Sequence, residues 1–366
     1  MNGQRLELAR KRAGLSLRGL SGALGGRPSH QAIRKYEKGE MTPGSGVLVA
    51  LARALGVSVD FLMGDQVRTL AGVEFRRRSP TSARDRARVE AEVIDQVDRY
   101  LIVEELLELD TAHWTPPIPA VRLTDEEDAE DVAGRVRDAW DLGDGPIPNL
   151  TELLEERGLK IFVIPLPESV SGLTGWIVPP DGGDHMPVIV VNRDHGLERR
   201  RFTLAHELAH RVLDAEAPVN IECAANRFAG SFLVPAGHLR YRVSSTRHPG
   251  RRRISYGEII RLKRIYGVSA AAVLMRLCQI GVLSESAMRY AFQTFANGWR
   301  GCEPEPLEEN SRRPFELPRR FERLCCWALA ERLIAPARAA QLLQVPMTMI
   351  EEALRGPMEA DASRHQ

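Results

Sequence analysis

His206-Glu207-Leu208-Ala209-His210 sets two imidazoles one helical turn apart with a carboxylate between them. On a helix, residues i and i+4 share a face, so His206 and His210 can bind one metal ion. Glu207 then stands beside the open coordination position as a general base for a bound water. The chemistry is that of a zinc hydrolase. A helix is expected here because Arg201-Phe202-Thr203-Leu204-Ala205 carries an apolar face into His206, and Leu208 and Val212 extend it.

A catalytic zinc site needs a third protein ligand. Residues 222–235 supply a second helical pattern in which Ala225, Phe228, Ala229 and Phe232 form an apolar stripe, with Glu222 one turn ahead of it on the same side. Two His and one Glu leave the fourth position of Zn2+ for water. Asn226, four residues past Glu222, is placed to hydrogen-bond a ligating imidazole. Taken singly, a His pair is ordinarily two imidazoles satisfied by neighbours, and a Glu opening a helix is ordinarily a first-turn carboxylate favoured by the dipole. Taken together, the pentad and the downstream stripe favour the metal. His185, His195 and His238 read as surface polar residues, the alternative being that one of them polarises the scissile carbonyl.

This arrangement resembles the gluzincin peptidases and, within them, the ImmA/IrrE-type metallopeptidases. The matching stretch begins at Trp140-Asp141-Leu142-Gly143-Asp144-Gly145-Pro146-Ile147. It continues through residues 201–210 to the Leu233-Val234-Pro235 that ends the Glu222 segment. Where that family usually has Gly before the second His, this chain has Ala209, one small residue for another. The resemblance implies a minimal zincin with Glu207 catalytic, and an activity directed at a repressor- or antitoxin-like protein in a stress response.

The first 65 residues read as five short helices. Residues 4–13 are amphipathic, Ser16 caps a second helix through Leu24, and Ser29 caps a third over 29–38, closed by Gly39. Val47 to Leu55 and the residues after Gly56 supply the last two. The segment resembles the Cro/XRE-type helix-turn-helix of phage repressors, with a longer turn at Gly25-Gly26-Arg27-Pro28. In the third helix Ile33 and Tyr36 face inward, while His30, Gln31, Arg34 and Lys35 face out. Gln31 has the chemistry to meet an adenine edge and Lys35 a guanine. Carried over position by position, the resemblance implies His30, Gln31 and Lys35 as base readers, Arg34 and Lys38 as phosphate contacts, and an internal pair of Arg10 with Glu37. The expected partner is double-stranded operator DNA.

Charge agrees with that division. Residues 1–78 hold 14 Lys or Arg against 6 Asp or Glu, a net of +8, although the 366-residue chain is only +1. Residues 104–156 hold 16 acidic and 3 basic residues, a net of −13, which reads as a solvated helical face. The basic charge is therefore local, as a phosphate-binding head requires. No run of about 20 apolar residues and no charged-then-apolar start is present, so a cytoplasmic protein without membrane contact is expected. Five Cys without metal-type spacing argue against a disulfide framework; Cys325 and Cys326 read as semi-buried thiols and Cys223 as a core cysteine.

The expected fold is α+β, mainly helical with a small sheet. Five units are expected: a helix-turn-helix domain at 1–70, a linker and long helix at 71–119, a gluzincin-like zincin at 120–245, a helical packing or dimerisation region at 246–356 and a disordered tail at 357–366. Within the second unit, residues 73–80 read as a basic, cleavable hinge. Residues 83–109 read as a helix on their Val89, Val93, Val97, Tyr100 spacing, and 114–119 as a stiff Pro-rich linker. Strands are expected at 160–165, 174–178 and 187–192. After Pro235, helices are expected at 255–266, 269–280, 284–295, 318–333, 335–343 and 349–354. Two functions fit: a DNA-binding regulator, expected as a homodimer, whose zinc peptidase cleaves a partner on a signal, and a regulator whose peptidase fold is only a sensor or dimerisation scaffold.

Overall fold

The computed structural model describes residues 1–64, 69–77, 82–109, 114–168, 170–179, 183, 185–243, 254–299, 301–307 and 316–355. Five helices open the chain: α1 (Gly3–Arg12), α2 (Leu17–Ala23), α3 (His30–Glu37), α4 (Ser45–Leu55) and α5 (Val59–Met63). Ser16, Ser29 and Ser58 cap α2, α3 and α5 by accepting from the backbone N–H three residues on. Leu6, Leu20, Ile33, Leu51 and Leu62 close the small core they share. Arg10 forks onto Glu37 at 2.5 and 3.0 Å, fixing α1 against α3.

The next segment departs from expectation. Thr69–Arg77 is a strand, β1, and takes in the first part of the 73–80 segment expected as a basic hinge; residues 78–81 lie outside the described part. Its partner, β3, lies about a hundred residues downstream, and pairing at that distance leaves no periodic signal in so short a run. Helix α6 (Ala83–Leu106) follows, capped by Ser82, and is a spine of roughly 36 Å at 1.5 Å per residue. Its Val89, Val93, Val97 and Tyr100 are buried, as their spacing predicts.

Residues 114–119 do not act as a linker: Trp114 packs edge-on to Trp140, and Ile118 joins the main core. Helices α7 (Ala129–Ala139) and α8 (Leu150–Glu156) lead into β2 (Lys160–Ile164), β3 (Val170–Val178) and β4 (Met186–Asn192). The sheet order is β1-β3-β4-β2, antiparallel except for the β2–β4 pair. Both faces are covered. Val188 and Val190 of β4 pack with Val93 and Val97 of α6, while Ile189 and Val191 join the main core. A strand buried on both sides reads as an unbroken apolar run, which is why Val188–Val191 was legible.

Three further helices, α9 (Leu197–Val212), α10 (Ile221–Leu233) and α11 (Ala236–Val243), carry the pentad and the Glu222 stripe. The same core continues into α12 (Tyr256–Tyr266), α13 (Ala270–Gln279) and α14 (Glu285–Gln293). The last three helices, α15 (Arg320–Ala330), α16 (Pro336–Leu343) and α17 (Met347–Arg355), pack with Tyr100 and Val103 of α6 in a separate cluster. The fold is thus α+β, mainly helical with one small sheet. The expected tail at 357–366 lies outside the described residues. No helix among the described residues is long and apolar enough to cross a membrane.

Candidate metal centre

Helix α9 is held at its N-terminal end by buried ion pairs. Lys263 reaches Glu198 in its first turn, and Arg201 reaches Glu316, which also accepts from Leu150 N, Thr151 N and the Thr151 hydroxyl at 2.8 Å each. Glu316 therefore caps α8 and anchors α9 together. A one-sided removal from such a cluster strands a buried charge, so these contacts fix where the helix lies.

One turn from its C-terminal end, α9 presents His206 and His210, with α10 beside it. The His206 Nε2 and His210 Nε2 atoms lie 3.1 Å apart. Glu222, in the first turn of α10, brings one carboxylate oxygen to 3.4 Å from His206 Nε2 and the other to 3.4 Å from His210 Nε2. The three donors lie within 4.8 Å of one another, and among the described residues this is the group that could hold a metal ion. Asn226, one turn further along α10, accepts from His206 Nδ1 at 3.1 Å. With its proton held on Nδ1, His206 turns the Nε2 lone pair toward the other two donors, which is the tautomer a metal requires. Two imidazoles and a carboxylate are a donor set suited to zinc. His206 and Glu207 are buried, His210 is mostly so, and the Glu222 side chain is 55 % exposed, leaving one side of the group toward solvent.

Strand β3 borders this group in a way the sequence reading missed. A Cβ on Gly172 would stand 2.6 Å from Thr203 Cγ2 and 2.7 Å from Val190 O, with Glu207 Oε1 at 3.8 Å. Only glycine lets β3 approach α9 this closely beside Glu207. Farther along, Arg211 donates to the Thr174 hydroxyl and to Gly175 O and stacks on Trp176 at 4.3 Å. Two glycines inside a β-branched run, Gly172 and Gly175, were the available signal of close backbone approach.

The remaining histidines stand apart. His185 is exposed. His238 meets the Tyr266 hydroxyl at 2.8 Å on α11, and burial lowers its pKa. His195 is not a surface residue: only 9 % exposed, it lies in the turn between β4 and α9, where burial and then Arg199 lower its pKa. Eleven residues separate it from His206, the last nine of them along α9, roughly 14 Å of helix rise. Cys223 is exposed rather than a core cysteine, because it opens α10 on the turn opposite the apolar stripe; Cys325 is buried and Cys326 exposed.

At the other end of the molecule α3 buries Ile33 and Tyr36 and leaves Gln31, Arg34, Lys35 and Lys38 exposed and His30 half-exposed. The polar side chains thus share an outward surface. Lys38 lies 3.6 Å from Glu40, a surface contact that leaves it accessible.

A five-helix head with an outward polar third helix, joined to a body carrying a His-Glu-x-x-His helix and a downstream Glu, defines a regulator-type head on a peptidase-like domain. Comparison with known families agrees: residues 6–62 match the helix-turn-helix model, and residues 154–278 match the IrrE N-terminal-like domain of the M78 peptidases. The chain is a fusion of a Cro/XRE-type helix-turn-helix with an IrrE/ImmA-like peptidase domain. No curated protein matches it.

Proposed function

We propose that the protein is a DNA-binding transcriptional regulator, acting as a cytoplasmic homodimer, whose body is a zinc-dependent peptidase that cleaves a repressor- or antitoxin-like protein in response to a signal. The observation that carries this reading is the convergence of His206, His210 and Glu222 with Asn226 fixing the His206 tautomer. A zinc ion bound by these three residues would supply Lewis acidity at the scissile carbonyl. Glu207, next to His206 on α9, takes the proton from the attacking water and returns it to the leaving amine. The nearby backbone of β3, brought in by Gly172, borders the place where an extended peptide would lie. On the head, His30, Gln31 and Lys35 read bases while Arg34 and Lys38 hold phosphates.

Pairing of β1 with β3 favours a separate protein over self-cleavage within residues 73–77, which pair along one edge of β3; residues 78–80 of the expected hinge lie outside the described part. The test is capture: the Glu207→Gln protein should hold a partner that the wild-type protein cuts, identified by mass spectrometry of both mixtures. Identical partner profiles, with no fragment specific to wild type, would leave the body as a scaffold.

A further inference from the structure

A cleft of about 500 Å³ lies where the head, α6 and the C-terminal helices meet. Four guanidinium groups line it: Arg5 and Arg12 of α1, Arg99 of α6 and Arg338 of α16. Two carboxylates face them, Asp95 and Asp98 of α6. Arg5 lies 3.3 Å from Asp98, and Asp95 is shared between Arg12 at 2.6 Å and Arg99 at 3.2 Å. Arg338 donates to the neutral Gln341 amide oxygen at 2.6 Å. Arg99 also donates to Leu342 O at 2.7 Å and Arg12 to Gly56 O at 3.4 Å, but carbonyls carry no net charge, so four arginines against two aspartates leave the lining an excess of two positive charges.

The excess is partly desolvated, since the side chains of Arg5, Arg12 and Arg99 are only 13, 14 and 16 % exposed. Like charges in such a place repel more strongly than at an open surface, and a bound dianion offsets the repulsion. Guanidinium forks match phosphate oxygens two at a time. A bare phosphate would leave most of the cleft unfilled, while Phe61, Ile102 and Leu342 give it an apolar wall for an uncharged part.

We propose that this cleft binds a nucleoside diphosphate, its phosphates on the arginines and its nucleoside against the apolar wall. The inference is independent of the peptidase reading. Arg5 and Arg12 belong to the helix by which the head rests on α6, where Leu8 packs on Ala91 and Ile94. A ligand that draws these arginines from Asp98 and Asp95 changes how firmly the head is seated, and so couples to whatever the head binds.

Full-length protein titrated calorimetrically with sodium ADP, free of divalent cations, should bind one equivalent saturably at micromolar concentration. Inorganic pyrophosphate should bind at least tenfold more weakly. Arg338→Gln should weaken ADP at least tenfold; its side-chain hydrogen bond is to Gln341 on its own helix and exposed, so folding is expected to survive. Arg264→Gln, on α12 and outside the cleft, should bind as wild type does. ADP should also change hydrogen exchange in α1. Absence of saturable ADP binding, or equal affinity in Arg338→Gln, would overturn the site. Equal binding of pyrophosphate would overturn the nucleoside assignment, and unaltered α1 exchange with ADP bound would overturn the coupling.

Discussion

His30, Gln31, Arg34, Lys35 and Lys38 come from nine consecutive residues and stand toward solvent, whereas His206, His210 and Glu222 come from two helices and meet largely in the interior. Helix α3 is oriented by neighbours within the first 64 residues, chiefly through Ile33, Tyr36 and the Arg10–Glu37 fork. The candidate metal centre depends on β3 passing beside Glu207, on Lys263 and Glu316 holding α9, and on α10 presenting Glu222. Damage at the exposed face should therefore be graded and local. Damage at the centre should be close to all-or-none, since each donor is held by contacts from several parts of the chain.

The largest expected effect is at Glu207. Glu207→Gln should lower peptide cleavage about 10²- to 10⁴-fold, the range expected for a lost general base. DNA binding and metal content should stay unchanged. Wild type should carry about one zinc per chain, and His210→Ala should lose it while keeping its helical signal. Stoichiometric zinc retained in His210→Ala, measured by elemental analysis, would break the proposed ligand set.

A second contrast concerns pH. Burial raises the Glu155 carboxyl from 4.5 to about 7, against the lowering influence of the Arg320 backbone N–H. The folded body keeps this proton over a range in which the unfolded chain has lost it. Stability is therefore highest below pH 4.5 as far as this group is concerned, falls between about 4.5 and 7, and is level above. The total is on the order of 3 kcal/mol. Glu155→Gln should flatten that slope in denaturant melts of the full chain. An unchanged slope in the variant would place the pH dependence elsewhere.

These contrasts bear on what could be read before the fold was known. The head, the pentad helix and the Glu222 stripe are local patterns, and the capping serines Ser255, Ser269 and Ser284 mark helix starts just as Ser16 and Ser29 do. What escaped depends on distant partners. Residues 69–77 become a strand only through β3. His195 is buried by the turn it occupies, and Glu316 caps a helix more than 160 residues earlier. Gly172 is a small residue in a strand until α9 lies against it.

Asn226 tests the middle of the range. Its carbonyl holds the His206 proton in place without being part of the donor group, so Asn226→Ala should weaken zinc about 10- to 100-fold in competition with a chelator. Asn226→Asp keeps an acceptor and should recover most of the affinity. Equal affinity in wild type and the alanine variant would mean that packing alone orients His206.

The smallest effects are expected at the reading face, where they should differ in kind between neighbouring residues. Gln31, near the N-terminus of α3, has a planar amide able to pair with an adenine edge. Gln31→Ala should therefore cost ~1–3 kcal/mol of discrimination at one base pair and little on other sequences. Lys38, just past the end of the helix and exposed, should meet phosphate only. Lys38→Ala should weaken matched and mismatched duplexes alike and reduce the slope of log affinity against log salt by about one. Both can be read from one set of binding curves on an operator selected from random duplexes, with one substitution per position and three salt concentrations. Identical behaviour of the two variants across those curves would mean that the register of α3 in the groove is wrong. A salt slope unchanged in Lys38→Ala, with Gln31→Ala behaving as expected, would instead keep the register and move the phosphate contact to another basic residue.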